Sequence, residues 1–101
     1  GDPPPDTEAA KIKRAQIASC GPVCERLVDC SVEDLRREKT DAEIAEMDLP
    51  RVIPKAIEDC EIDCRDKTLS PRQIKVMQEC VNGPQECSGY LTCLDKAKRG
   101  G

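Results

Sequence analysis

Apolar residues recur along this chain at intervals of three and four positions, which is the spacing of one face of an α-helix. The clearest example is the series Ile53, Ile57, Cys60 and Cys64, which places two cysteines on the core-facing side of one helix. No stretch alternates apolar and polar residues in the way that a half-buried strand does. The pattern therefore predicts an all-α fold.

Proline and glycine residues divide the first part of this pattern. Residues 1–6, GDPPPD, predict a flexible proline-rich tether, and a first helix is expected to begin near Thr7. Gly21-Pro22 predicts a kink or break in that helix, because proline lacks the backbone donor and disfavours helical geometry at the residue before it. Ser31, which is followed by acidic residues, indicates the start of another helix.

Capping residues and prolines mark four further helices. Residues 40–43, TDAE, match a capping box. Pro54 limits where the next helix can begin, so that helix is expected over 54–65. Residues 70–73, SPRQ, combine a capping serine, a proline at the first helical position and a glutamine that completes a second capping box. Pro84 is expected to open the last helix.

These segments predict one helical domain over residues 7–97, between the tether and a frayed tail at 98–101. Its apolar core is small, since the 101 residues include only 19 Leu, Ile and Val and no Phe or Trp. Ile17 is expected to face inward, and Tyr90, the only aromatic residue, is expected to be a core residue with its hydroxyl at the edge. A core this thin rarely stabilises a domain without cross-links.

Eight cysteines, an even number in a short chain, predict a disulfide framework that compensates for this thin core. Cysteines four positions apart lie on one helix face, so two antiparallel helices that each carry C-x3-C can be joined by two parallel disulfides. Spacing leaves the connectivity of the other four cysteines open, and we choose a local bridge across the VNGPQE turn. The predicted structural disulfides are Cys20–Cys64, Cys24–Cys60, Cys80–Cys87 and Cys30–Cys93. The fold is thus predicted to be a small disulfide-stapled bundle of four to six short helices.

Two alternative uses of the cysteines compete with structural disulfides. The pairs in CGPVC (20–24) and CEIDC (60–64) could supply four thiolates to zinc, copper(I) or an iron–sulfur cluster, although this leaves four cysteines unexplained. CGPVC is also close to the C-x-x-C motif of redox enzymes, but it has one residue too many and no preceding strand. The disulfide interpretation assigns no catalytic, cofactor-binding or metal-binding residue.

Several classes of function are excluded or disfavoured by composition. The chain has no His, which excludes Ser-His-Asp, Cys-His and HExxH chemistry within it, and it has no glycine-rich phosphate loop. A net charge of −4 argues against a nucleic-acid partner. No apolar run reaches the length of a transmembrane helix. No signal peptide is visible, but a chain that opens at Gly1 without Met is expected to have been processed or engineered, so this absence excludes neither a signal peptide nor a lipid tether upstream.

The cysteine ladder resembles that of small cysteine-rich exported proteins and lipoproteins of the deltaproteobacterial (myxobacterial) type. The matching stretches are CGPVCERLVDC (20–30), CEIDC (60–64) and CVNGPQECSGYLTC (80–93). The twin C-x3-C motifs are also similar to those of the small translocase chaperones of the mitochondrial intermembrane space, which form a disulfide-linked helical hairpin. The first resemblance implies an envelope location, and the second implies binding of client proteins.

Our hypothesis is a non-catalytic, extracytoplasmic interaction or structural module that needs no cofactor. Its partner is expected to be a protein or envelope component, and its location secreted, periplasmic or at the cell surface, because disulfides persist in oxidising compartments. The alternatives are a metal-binding (four-thiolate) or redox protein, and a chaperone like those of the small translocase system.

Overall fold

The computed structural model describes residues 7–83 and 86–98. Its helices are α1 (Glu8–Glu38), α2 (Asp41–Glu46), α3 (Leu49–Asp66), α4 (Pro71–Asn82) and α5 (Cys87–Lys98). Within these ranges there is no strand, and disulfides link the helices, so the predicted all-α, disulfide-stapled bundle is confirmed. The predicted tether at 1–6 and residues 99–101 of the predicted tail lie outside the described residues, and Lys98 is the last residue of α5.

Helix α1 is a single helix of 31 residues that runs through Gly21-Pro22 without a break, so of the predicted kink or break the break is wrong, and the predicted helix start at Ser31 is wrong as well. At a rise of about 1.5 Å per residue, α1 accounts for most of the 53 Å length of the molecule. The Ser31 hydroxyl does not cap a new helix but donates to the Leu27 carbonyl one turn earlier, 3.0 Å away. Serine within a helix commonly makes this backward bond.

Two local features allow the helix to continue through Pro22. Gly21 has no Cβ, so the clash that disfavours helical geometry before proline is reduced. Disulfides at Cys20 and Cys24, on either side of the proline, hold both halves of α1 against the same neighbouring helix. Because proline has no backbone N–H, α1 lacks one helical hydrogen bond, the one from position 22 to the Ala18 carbonyl. Pro22 is exposed, so water can reach that carbonyl instead.

Helix α3 begins at Leu49 rather than at the predicted Pro54. Pro50 lies in its first turn, where the backbone N–H has no helical partner to lose. Asp48 precedes the helix in a left-handed conformation, with φ 53°, and its side chain accepts a 2.8 Å hydrogen bond from Nε of Arg51. Pro54 therefore removes one hydrogen bond inside an established helix and does not set the boundary.

Both predicted capping boxes are confirmed. Thr40 Oγ1 accepts from the Glu43 backbone N–H at 3.2 Å, and the Glu43 carboxylate accepts from the Thr40 N–H at 2.9 Å. Ser70 and Gln73 make the same reciprocal pair at the start of α4. The predicted helix start at Pro84 lies outside the described residues, and α5 begins at Cys87.

Helix α1 is the axis on which the other long helices are arranged. Cys20 bonds Cys64 while Cys24 bonds Cys60, so α3 runs antiparallel to α1. Helix α4 runs parallel to α1, since Ile12 lies near Pro71 at one end of their contact and Pro22 lies near Val81 at the other. Helix α5 returns antiparallel to α4, which brings Ala97 next to Gln73.

The core is small and contains much sulfur. The buried apolar residues are Cys20, Val23, Cys24, Cys30, Leu49, Ile74, Met77, Cys80 and Tyr90. Ile17, which was predicted to face inward, is 45% exposed, so that prediction is wrong. None of the helices in the described ranges combines the length and hydropathy that a membrane-spanning segment needs.

The continuity of α1 leads to a testable prediction at Pro22. Pro22→Ala should leave all four disulfides in place and raise the free energy of unfolding by about 1–2 kcal/mol, because alanine restores the missing helical N–H. Urea unfolding of the oxidised protein measures this difference. Pro71→Ala is the matched control, since Pro71 is the first residue of α4 and its missing N–H is not needed there. A loss of stability in Pro22→Ala, or altered disulfide pairing by peptide mapping, would contradict the prediction.

Candidate functional site

Two neighbouring disulfides form a ladder between α1 and α3. Cys20–Cys64 has a Cα–Cα distance of 5.8 Å, and Cys24–Cys60 has one of 5.7 Å. Both predicted pairs are therefore confirmed, and each distance lies in the range that a disulfide permits. The two cysteines of CGPVC bond α3 and not each other, so the motif does not form the intramotif disulfide of C-x-x-C redox enzymes.

The other two disulfides differ from the prediction. Cys30 pairs with Cys87, and Cys80 pairs with Cys93, so the predicted Cys80–Cys87 and Cys30–Cys93 bridges are wrong. The reason lies in the direction in which each cysteine of α5 points. Residues six apart on a helix lie about 120° apart around its axis, so Cys93 faces α4 while Cys87, in the first turn, faces α1.

Both of these disulfides pack around Tyr90. The cluster consists of buried Cys30, Cys80 and Tyr90, with partly buried neighbours that include Cys87 and Cys93. The phenol of Tyr90 is 0% exposed, and its O–H donates to the Val23 carbonyl of α1 at 3.1 Å. The prediction that Tyr90 is a core residue is confirmed, although its hydroxyl is buried rather than at the surface.

Burial raises the pKa of Tyr90 from 10.0 to about 12, and the positive charge of Arg26 acts in the opposite direction. The guanidinium carbon of Arg26 lies 4.8 Å from the ring centre, in a cation–π arrangement. A phenol in this position is held protonated and hydrogen-bonded, which suits a structural role and leaves it unavailable as a base.

Two glutamines close the C-terminal ends of neighbouring helices, a role that the sequence analysis missed. Gln16 is 2% exposed, and its Nε2 donates to the carbonyls of Cys64 and Lys67 at 2.9 and 2.7 Å. Gln73 Nε2 donates to the Ala97 carbonyl at the end of α5, at 2.8 Å. The last carbonyls of a helix have no partner within it, so these bonds satisfy them. Position 16, one turn before Cys20 on the same helix face, was the available signal in the sequence.

A four-thiolate metal site would require the sulfurs of the ladder in reduced form. All eight cysteines are consumed in four disulfides and none is free. Across the part of the chain that the structure describes, no group of three or more Cys, Asp or Glu side chains is arranged to hold a metal ion. In the oxidised protein the sulfurs therefore act as cross-links and not as ligands.

A shallow groove runs between residues 9–22 of α1 and residues 67–82 of the loop before α4 and α4 itself, and we call it the α1–α4 groove. It consists of adjoining cavities, two of which share Ile12 and Pro71 while a third is connected through Gln78. Among the described residues that line these cavities there are four lysines and no Asp or Glu: the lysines are Lys11, Lys13, Lys67 and Lys75. Lys11 and Lys67 pair with Glu8 and Asp63, which lie beside the groove. A basic groove is unexpected on a chain whose net charge is −4.

Comparison with protein-family models, curated proteins and solved structures finds no match to this chain.

The ladder leads to a prediction about non-additive stability. With Cys20–Cys64 in place, Cys24–Cys60 closes an effective loop of only about ten residues, so removing either disulfide alone should cost about 2.5–3 kcal/mol. Removing both disulfides frees the whole loop between the helices and should lower the free energy of unfolding by about 6.5–7 kcal/mol. This loss is about 1 kcal/mol larger than the sum of the losses from the two single removals.

The four variants needed are the parent, Cys20→Ala with Cys64→Ala, Cys24→Ala with Cys60→Ala, and all four substitutions together. Alanine is preferred to serine because an unpaired hydroxyl at the buried positions of Cys20 and Cys24 would add its own cost. Chemical unfolding of each oxidised protein measures its free energy of unfolding. Strict additivity would mean that the disulfides do not act through loop entropy.

Tyr90 leads to a prediction about alkaline pH. The folded-state pKa lies above the unfolded value, so the stabilisation from the protonated phenol is complete below pH 10 and is lost as the pH rises through about 12. Because Tyr90 is the only aromatic residue, phenolate absorbance follows it alone. Near neutral pH, Tyr90→Phe should lower the free energy of unfolding by about 1 kcal/mol, because the hydrogen bond to Val23 is missing. Between pH 10 and about 12 the variant should not show the further loss of stability that the parent protein shows. Ionisation of the folded protein at pH 10 would contradict the assignment.

Proposed function

We propose that this chain is a non-catalytic, extracytoplasmic interaction or structural module. The observation that carries the proposal is the complete use of the cysteines: all eight form disulfides, and each disulfide joins two different helices. Such a framework persists in an oxidising compartment and is reduced in the cytosol. A secreted, periplasmic or cell-surface location follows from this chemistry, and a lipid tether upstream of the chain is compatible with it.

The proposal that the module is non-catalytic rests on the surroundings of its reactive side chains. The sequence has no His, and Tyr90, its only phenol, has its hydroxyl bonded to a backbone carbonyl. Closely spaced acids lie on the surface in ion pairs rather than in an apolar pocket: Asp59 pairs with Lys55, and Asp63 with Lys67. General acid–base catalysis by a carboxyl group usually needs the opposite surroundings.

The metal-binding alternative is favoured by one observation, the convergence of four cysteines in the ladder. In the disulfide-bonded state the Cα atoms are 5.8 Å apart in Cys20–Cys64 and 5.7 Å apart in Cys24–Cys60, and reduction would free four thiols at these positions. Four thiolates can bind zinc or copper(I), but the described residues hold no group arranged for a metal, so this would require the two helices to rearrange. This function requires a reducing compartment, so the state of the cysteines in the cell separates the two candidates.

Thiol trapping in the producing cell tests the proposal. Cells are quenched with acid and the protein is alkylated before isolation, so that every free thiol gains one mass label. We expect no label, and a mass eight hydrogens below that of the fully reduced protein, since four disulfides are formed. Reduction before alkylation is the control and should give eight labels. Eight labels without prior reduction, together with stoichiometric zinc, copper or iron, would support the metal-binding alternative instead.

A further inference from the structure

We propose that the α1–α4 groove binds an acidic amphipathic helix of a partner protein. This inference rests on the proposed function as an interaction module and names the surface and the chemistry of the partner. The groove extends from Ala9 to Pro22 along α1, a distance of about 20 Å at 1.5 Å per residue. A helix of about 14 residues, or four turns, spans that length.

The floor and walls of the groove are apolar. Ile74 is 4% exposed and forms part of the floor, while Ile12, Ala15 and Val81 are half-buried beside it. Half-buried apolar side chains along a groove lose their remaining contact with water when an apolar stripe covers them. The surface therefore fits a partner element that is apolar along one side.

The lysines determine the charge of that partner. Lys11 on α1 and Lys75 on α4 line the same cavity from its two sides, and Lys13 and Lys67 line the adjoining cavity at one end. Two of the four lysines already have carboxylate neighbours on their own helix or next to it, since Lys11 pairs with Glu8 at 3.8 Å and Lys67 pairs with Asp63 at 3.2 Å. Lys75 has no ion pair with any described residue, and Lys13 donates to the backbone carbonyl of Arg65 rather than to a carboxylate. The charge of the groove therefore rests mainly on Lys13 and Lys75. Carboxylates on both flanks of the partner's apolar stripe would complement this arrangement.

A helix fits the groove better than an extended peptide. The backbone N–H and C=O groups of α1 and α4 bond one another within each helix, so the walls offer no strand edge to an extended chain. A helix makes its backbone hydrogen bonds internally, so only its side chains need to contact the groove. Its apolar positions would follow the i, i+3, i+4, i+7 spacing, with acids at the positions that flank them.

A display selection tests the inference with a defined probe. The library consists of helical peptides of about 14 residues on an alanine-rich frame with randomised surface positions, selected on the oxidised full chain. We expect the recovered sequences to carry Leu, Ile or Val at helical spacing with Asp or Glu on both flanks. Amide shifts on binding the consensus peptide should map to residues 9–22 and 67–82, the two sides of the groove.

Charge reversal supplies the matched variants. Lys11→Glu with Lys75→Glu should weaken binding of the consensus peptide by about tenfold at low salt, because two attractions become repulsions, and by less at high salt. Lys39→Glu with Lys98→Glu changes the net charge equally at exposed positions that do not line the groove, and should change affinity less than twofold. Circular dichroism and the disulfide count of both variants should match the parent, so that loss of binding is not loss of fold.

Three results would overturn the inference: recovery of no enriched sequence, recovery of neutral or basic sequences, or equal weakening by both double variants. Concentration-dependent dimerisation that is blocked by Lys11→Glu with Lys75→Glu would assign the groove to a second copy of the chain. Displacement of the peptide by dodecanoate, with tighter binding of that fatty acid, would assign the groove to a carboxylate amphiphile. None of these results bears on thiol trapping, so the groove can fail while the proposed disulfide-stabilised module stands.

Discussion

Covalent links between helices are the interaction on which the rest of this structure depends. Four of the nine buried apolar residues are half-cystines, and Tyr90 is the only aromatic side chain among them. The disulfides fill core volume, as apolar side chains would, and they also restrict the unfolded chain. A chain with 19 Leu, Ile and Val among 101 residues has little other means of offsetting the entropy that folding removes.

The cross-links act in two groups, and α1 connects them. The ladder fixes the middle of α1 to α3, with one disulfide on each side of Pro22, while Cys30–Cys87 fixes α5 further along α1 and Tyr90 bonds the Val23 carbonyl between the two ladder cysteines. A break at Pro22 would let the segment of α1 that ends at Cys20 move relative to the segment that carries Cys24 and Cys30. The disulfides on either side of this proline keep the helix continuous, so a local defect in hydrogen bonding has no global consequence.

The capping boxes and the ladder pairs were predictable from the sequence, whereas the continuity of α1 through Pro22 and the other long-range contacts were not, because distant parts of the chain decide them. The capping boxes at Thr40 and Ser70 and the ladder pairs follow from helical periodicity, which fixes the face that each residue occupies. The pairing of Cys87 depends on how α5 is rotated against α1, which no local pattern encodes. The buried role of Gln16 likewise requires the end of α3 to be in place.

The groove lies where covalent restraint is weakest among the long helices. Helix α4 bonds α5 through Cys80–Cys93, but no disulfide joins α4 to α1, although the two are in contact. Lys13 on α1 and Lys75 on α4 have no carboxylate partner among the described residues, and an acidic partner would neutralise their charges. The α1 wall is held by disulfides to α3 and α5, and the α4 wall is linked to α1 only indirectly, through Cys80–Cys93 to α5 and Cys30–Cys87 from α5 to α1. This indirect link restricts both walls, so a partner helix would lose less binding energy to ordering them than it would on an uncross-linked chain. The same cross-links that replace an apolar core thus make a small, charged chain suited to presenting a binding surface.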